Sequence, residues 1–502
     1  MKINKLLVAL FITLFTQCIV AQNNTRSPYS VRAFGELEPF ESAFNKALGG
    51  NSNGIRSSRF ISFANPASVS ALGQVSVDFG FHVTSGKYFS SSAANTYYNG
   101  NFSYFTLGFP LYRKEIAQKD TSTRTGFSNK KSIIKSYRTI WAAAMGITPF
   151  SNIGASYFKN LDTTYGSISN YYNYSGGLNR FFVMNGVNVN KNLSLGLNTS
   201  LIFGQIKNQK IYLLNDTFVG RATSDLSLYQ FTGFKFDFGF QWVGRDTFIV
   251  KDSIKKVLDS TILNNKKVAR YINVERIKKL PLRITYGANV NNNAALNYNL
   301  TRTALNISNY FTNAAVDTLI NQNNVKGKTY LPSGFSAGFS LHYNNKWMVA
   351  FDYKSDLLAN IKKPLFNDVF TNSAQFSIGF AYKPDLEPEL FKTRQVVNKN
   401  KRFKTNLEYR FGFRSLNSGY NFKDNQGVIS PLKEYGISFG IGIPKLIRSY
   451  NPQVPYLKNM INITGEYIHR GTTKNGMIEE NLYKVTLGFT LNDNWFVKRK
   501  FN

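Results

Sequence analysis

Apolar side chains recur at every second position along stretch after stretch of this chain. Val75, Val77, Phe79, Phe81 and Val83 alternate with Gln74, Ser76, Asp78, Gly80 and His82. Phe234, Phe236, Phe238, Phe240 and Trp242 alternate with Lys235, Asp237, Gly239 and Gln241, and the pattern returns near 335–344, 435–443 and 484–491. A period of two places successive side chains on opposite faces of an extended strand. One face is therefore greasy, and the other carries Gly, Ser, Thr, Asn and scattered charges. Many of these segments reach the roughly 9–11 residues that a tilted strand needs to cross a bilayer. Aromatic residues gather near segment ends, among them Tyr104, Trp141, Trp242, Tyr343, Trp347, Tyr353, Tyr382, Tyr409 and Trp495. Such positions suit the interfacial girdles of a membrane barrel. The pattern predicts an all-β fold, a transmembrane antiparallel β-barrel. Further segments include 138–148 and 152–159, and 282–290 and 294–303. Single-chain bacterial barrels close with even numbers, so the sixteen or so segments predict about fourteen strands.

The first residues point to export. Lys2 and Lys5 precede an apolar run from Leu6 to Phe15, and Ala21 stands before Gln22. This order reads as a signal peptide cut after Ala21, and the run is too short for a membrane helix. The expected division is a signal peptide at 1–21, an N-terminal segment at 22–72 and an outer-membrane barrel at 73–502, in a Gram-negative envelope. Cys18 is the only cysteine and lies in the leader, so no disulfide, thiolate metal site or cysteine nucleophile is expected in the mature chain. A closed sheet offers another way to hold together, because every strand edge is paired.

The formal charge of +33, from 61 Lys and Arg against 28 Asp and Glu, raises the question of an anionic partner. Basic residues concentrate in polar connectors at 251–279 and 392–404, and no nucleic-acid-binding module is present. Lipopolysaccharide phosphates, outer-membrane lipid or an acidic protein fit better than nucleic acid. Tight Asn-rich hairpins are expected at 190–192, 291–293 and 343–346. Long connectors are expected at about 113–137, 207–229, 243–281, 304–332 and 383–402, with helical spacing at 252–258. Short turns on the periplasmic side and long loops outside would be the ordinary arrangement. The polar stretch 22–72 is too short for a core of its own and is expected to plug the barrel.

No His-Glu-x-x-His, Gly-x-Ser-x-Gly, phosphate loop or calcium loop occurs, so no catalytic residue, metal ligand or cofactor is assigned. Instead, charged and polar residues fall on the predicted lumen face: Asp78, His82, Lys235, Asp237, His342, Asp352, Glu408, Arg410, Arg414 and Glu466. Paired charges filling a barrel interior account for most of them.

Ala47-Leu48-Gly49-Gly50, followed by Asn65-Pro66-Ala67 directly before the first alternating strand, resembles the FadL family of outer-membrane transporters for hydrophobic compounds. Ser27-Pro28-Tyr29-Ser30, Arg470-Gly471-Thr472 and the end from Trp495 to Lys500 resemble FadL-like, PorV-like barrels of bacteria with type IX secretion. The resemblance implies a fourteen-stranded barrel with an N-terminal hatch, in which Asn65, Pro66 and Ala67 would lie. It implies passive uptake of small hydrophobic compounds or lipids. The alternative is a non-transporting barrel that serves as partner or plug of the type IX translocon.

Overall fold

The computed structural model describes residues 27–493, apart from 33, 91–93, 121–122, 126–127, 131–132, 164–165, 215–221, 264–265, 308–314, 362–368, 385–406, 424–428 and 449–455. The expected signal peptide, Cys18 and Trp495 lie outside the described residues. Sixteen long strands follow one another: β1 Val75–Phe89, β2 Ala94–Asp120, β3 Ile133–Thr163, β4 Gly166–Asn188, β5 Leu193–Leu214, β6 Ala222–Leu263, β7 Lys266–Asn291, β8 Ala294–Ile307, β9 Ala315–Leu331, β10 Gly334–Tyr343, β11 Trp347–Asp356, β12 Ala374–Tyr382, β13 Glu408–Lys423, β14 Ile429–Arg448, β15 Tyr456–Arg470 and β16 Glu479–Asp493.

Neighbouring strands pair antiparallel, and β1 also pairs β16 from Val75 opposite Asp493 to Phe89 opposite Glu479, which closes the sheet. Fourteen strands cross, because β8 and β9 are not crossings. β7 faces β6 as far as Asn291, and β8 continues along the same edge of β6 from Leu296 opposite Gly233. In the same way β9 leads straight into β10 through Pro332 and Ser333. Asn291–Asn293 is therefore no hairpin, contrary to the sequence reading. Asn292 exchanges hydrogen bonds with the backbone of Phe236, keeping the chain on the sheet edge. The segments 138–148 and 152–159 likewise merge into β3, with a register shift at Pro149/Ser151.

The alternation sorts the two faces as predicted. Phe238 is 59% exposed while its neighbour Asp237 is 9% exposed. Such apolar exposure on a whole outer surface suits lipid, not water. Trp141, Trp242, Tyr343 and Trp347 stay exposed at one end, and Trp347 stacks on Tyr382 at 4.0 Å. Tyr104 departs from the girdle reading. A register shift between Gly80 and Phe81 turns it inward, and it is fully buried.

β1 begins and β16 finishes at the same end, here called proximal. Tight turns at 189–192 and 344–346 lie there, the second with Asn344 and Asn345 in the left-handed region that Asn tolerates. Long connections share that end, so the expected separation of short turns from long loops fails. The 243–281 connection is not a loop. It is a two-stranded ribbon of β6 and β7, and 252–258, predicted helical, is strand within it. β-branched Ile254, Val257, Val268, Ile272 and Val274 explain why the extended form prevails there. The connector 207–229 is also largely strand. That at 383–402 falls almost wholly outside the described residues.

Candidate functional site

Residues 27–72 run through the barrel from the distal end, where Ser27 meets Glu480, to the proximal end, where the chain enters β1. They form a 3-10 turn at Pro28–Val31, one helical turn α1 at Ala43–Lys46 and a second 3-10 turn at Pro66–Ala71. Each starts on a polar cap. Ser27, Ser42 and Asn65 accept hydrogen bonds from the backbone N–H groups of Tyr29, Asn45 and Ala67.

Small residues on the wall let this segment press against it. A Cβ at Gly196 would stand 2.3 Å from the Ala67 nitrogen, and one at Gly287 would stand 1.9 Å from the Asn53 oxygen. Wall side chains then reach the segment's backbone. Asp352 accepts hydrogen bonds from the Ser52 and Asn53 N–H groups at 2.7 and 2.9 Å. Gln241 donates to the carbonyls of Asn53 and Ile55, Ser340 to that of Gly54, Thr464 to that of Ala43 and Thr139 to that of Leu72. In return Asn65 donates to the Phe240 and Ala288 carbonyls, and Arg56 donates to Gln241 and Asn188. Bonds to seven strands spread around the wall hold the segment in one place.

At the distal end the contacts are ionic. Arg470 reaches Glu36 of the segment at 2.8 Å, Glu434 at 2.9 Å and Glu480 at 3.4 Å. Arg414 reaches Glu434 at 3.1 Å and Glu466 at 3.5 Å. Ser27 donates to Glu480, and Tyr29 to the Ile478 carbonyl. Glu38 shows the same balance. Burial pushes its carboxyl up, but the Lys484 and Lys46 ammoniums, His82 and the Asn152 amide bring it down to about 2.

The remaining candidates also lie inside. Asp78 accepts from Tyr104, His82 lies 2.7 Å from Ser103, and Asp237 accepts from Asn198. Arg410 pairs with Glu408 at 3.0 Å and lies over the Phe44 ring of α1. Lys235 and His342 line cavities. Asn65, Pro66 and Ala67 sit against Gly196 and Gly239 of the wall. Sequence reasoning missed Arg56, Arg180, Gln241 and the central role of Arg470. The first lies outside any alternating strand, and the others sit at register positions whose partners only the closed sheet supplies.

Two cavities flank the segment and share no lining residue. The distal one, about 280 Å³, has Phe34, Phe150, Leu331, Phe370, Tyr420 and Leu432 towards its mouth and Glu38, Arg180, Lys235, Asp237, Lys354 and Asp356 deeper down. The proximal one, about 200 Å³, is lined by Arg59, Arg283, His342, Lys346 and Glu408 among others. Between them lie residues 42–54. Among the described residues no cluster of three or more His, Cys, Asp or Glu has the arrangement to hold a metal.

A fourteen-stranded barrel with a chain segment threaded through its lumen is the architecture of the FadL-type outer-membrane channels. The toluene transporter TodX of Pseudomonas putida superposes with a TM-score of 0.50 at 13% identity, covering 92% of this chain and all of the other. TbuX, a toluene transporter of Ralstonia pickettii, gives 0.48 at 11% identity over 90% and 98% of the two chains. A FadL homologue of Pseudomonas aeruginosa gives 0.48 at 11% over 91% and 99%. At these identities the likeness is one of fold. The sequence itself matches the BamG family model over 2–118, 115–267 and 271–502, and the chain belongs to the BamG family. No curated protein matches it.

Proposed function

We propose that this protein is a closed outer-membrane barrel that acts as a partner in an envelope assembly, not as a conduit. One observation carries the reading: the lumen is occupied by a segment bonded to strands all round, and the space left beside it mixes apolar side chains with buried charged ones. A greasy solute needs a continuous apolar pocket between segment and wall. Here the apolar lining is interrupted by Glu38, Lys235, Asp237, Lys354 and Asp356, from which a greasy solute would have to strip water at a cost. The strands that run on past the aromatic girdle supply protein surface outside the lipid.

A second reading, passive uptake of a small hydrophobic compound or lipid, is favoured by the apolar mouth of the distal cavity. Arg180 adds to it. Its guanidinium lies between the Phe40 and Phe150 rings at 4.2 and 4.9 Å, with Nε unpartnered, and would suit an acidic head group.

Pulling the tagged full-length protein from detergent-solubilised membranes separates the two. The expected result is a protein in fixed ratio to the barrel. A type IX translocon component, as the PorV-like resemblance implies, is one such partner. Recovery of a bound lipid or hydrocarbon and no protein would overturn the reading in favour of uptake.

A further inference from the structure

Between the level of Trp242 and the tip at Leu263, β6 and the facing part of β7 have only each other. Over 243–263 and 266–281 the described pairing joins these two strands alone, because β5 starts at Leu193 opposite Trp242 and β10 ends at Tyr343 opposite Leu282. Twenty-one residues at about 3.3 Å each make an arm of about 70 Å. That is roughly twice the thickness of a hydrocarbon core, so the arm reaches far past the lipid head groups. At its base Val243 donates to the Asn192 carbonyl and Pro281 accepts from the Asn344 N–H; beyond that, among the described residues, the outer edges have no strand partner, and a two-stranded ribbon alone in water is marginal.

Its sequence says what would complete it. Residues 244–281 hold ten Lys and Arg against four Asp and Glu, with Lys255-Lys256, Lys266-Lys267 and Lys278-Lys279 in adjacent pairs. By register Asp259 stands opposite Arg270, and the other basic positions of 248–279 stand opposite uncharged ones. The apolar β-branched residues Ile254, Val257, Val268, Ile272 and Val274 are interspersed with these on both faces. The arm leaves from the end that carries both barrel termini, the side from which an exported barrel inserts.

We infer that the β6–β7 ribbon is a docking arm for an acidic protein on the periplasmic side, which adds to the ribbon's edges and neutralises its lysines. This rests on the partner reading above and names the partner's chemistry. Anionic lipid is the competing occupant, and the arm's reach disfavours it.

Two variants of the full-length protein test it. In one, residues 247–279 are replaced by an Asn-Gly turn; in the other, Lys255, Lys256, Lys278 and Lys279 are each changed to Glu. Barrel folding is checked by heat-modifiable migration. In intact cells, p-benzoylphenylalanine in place of Val257 should give an adduct with one acidic protein. The charge-reversed arm should weaken that adduct at least tenfold. In detergent, poly-L-glutamate should bind the wild type and lose at least tenfold in affinity with the reversal, while vesicles containing phosphatidylglycerol distinguish lipid binding. Adducts with lipid alone, or an adduct that the four reversals leave unchanged, would overturn the inference. If the arm-deleted barrel still co-purifies with its partner, the inference fails and the partner reading stands. If the wild type has no partner at all, that reading fails.

Discussion

Inside the barrel, the segment 27–72 meets a partner at nearly every turn; beyond its base at Val243 and Arg245, the β6–β7 ribbon pairs, among the described residues, only with itself. The same chain thus builds one region that is densely bonded and another whose described pairing is confined to two strands. These bonds give the segment one arrangement, fixed by Asp352, Gln241 and Arg470 acting from different strands and by Arg56 of the segment itself. Openness means the ribbon's own stability is small and is completed from outside. The contrast separates what keeps the molecule shut from what it offers to others.

The comparison breaks first at Arg470. Arg470→Met leaves Glu36, Glu434 and Glu480 buried together without their shared cation, and removing one partner of such a set costs about 3–5 kcal/mol. Urea unfolding of the refolded barrel should show that loss, with protease reaching the segment; an unchanged midpoint would mean the ionic cluster contributes nothing. Phe238→Lys puts charge near the middle of the outer face, and in lipid vesicles it should cost about 2–4 kcal/mol. In a water-facing sheet it would be close to neutral. Gly287→Ala forces a methyl group onto the Asn53 carbonyl and should cost about 1–3 kcal/mol through displacement of the segment.

Acid sharpens the same contrast. The Glu38 carboxyl sits at about 2 in the folded protein against an ordinary 4.5, so its contribution is complete above about pH 4.5 and is lost as pH falls towards 2. Pepsin cleavage within 27–72 should rise over that window in the wild type and much less in Glu38→Gln. Smallest of all should be Lys255→Glu, which in the isolated protein is expected to change stability by no more than about 0.5 kcal/mol. A large effect there would show that the ribbon is already packed against its own barrel.

The barrel was legible because a period of two survives every local accident: Phe234 to Trp242 and Phe335 to Tyr343 announce their faces without any partner in view. Strand count was harder. A bend at Pro149 divides β3, and Asn291–Asn293 interrupts an edge that continues into β8, so both resemble turns when read locally. Tyr104 went astray because one inserted residue reverses inward and outward, which alternation alone does not reveal. The lumen-facing charges could be picked out by parity. Which of them touch the inserted segment could not, since Asp352 and Ser52 are three hundred positions apart and meet only when the sheet closes. The ribbon was mistaken for a helix-bearing loop because lysines at 255, 256, 266 and 267 obscure its β-branched pattern.

Single-channel recording of the purified full-length protein in planar lipid bilayers tests the central claim most directly. A lumen filled by residues 27–72 predicts a flat baseline at moderate voltage, with no long-lived steps. Steady, ohmic steps of uniform size from the unaltered protein would contradict it, because they require an open aqueous path where this structure places a bonded segment.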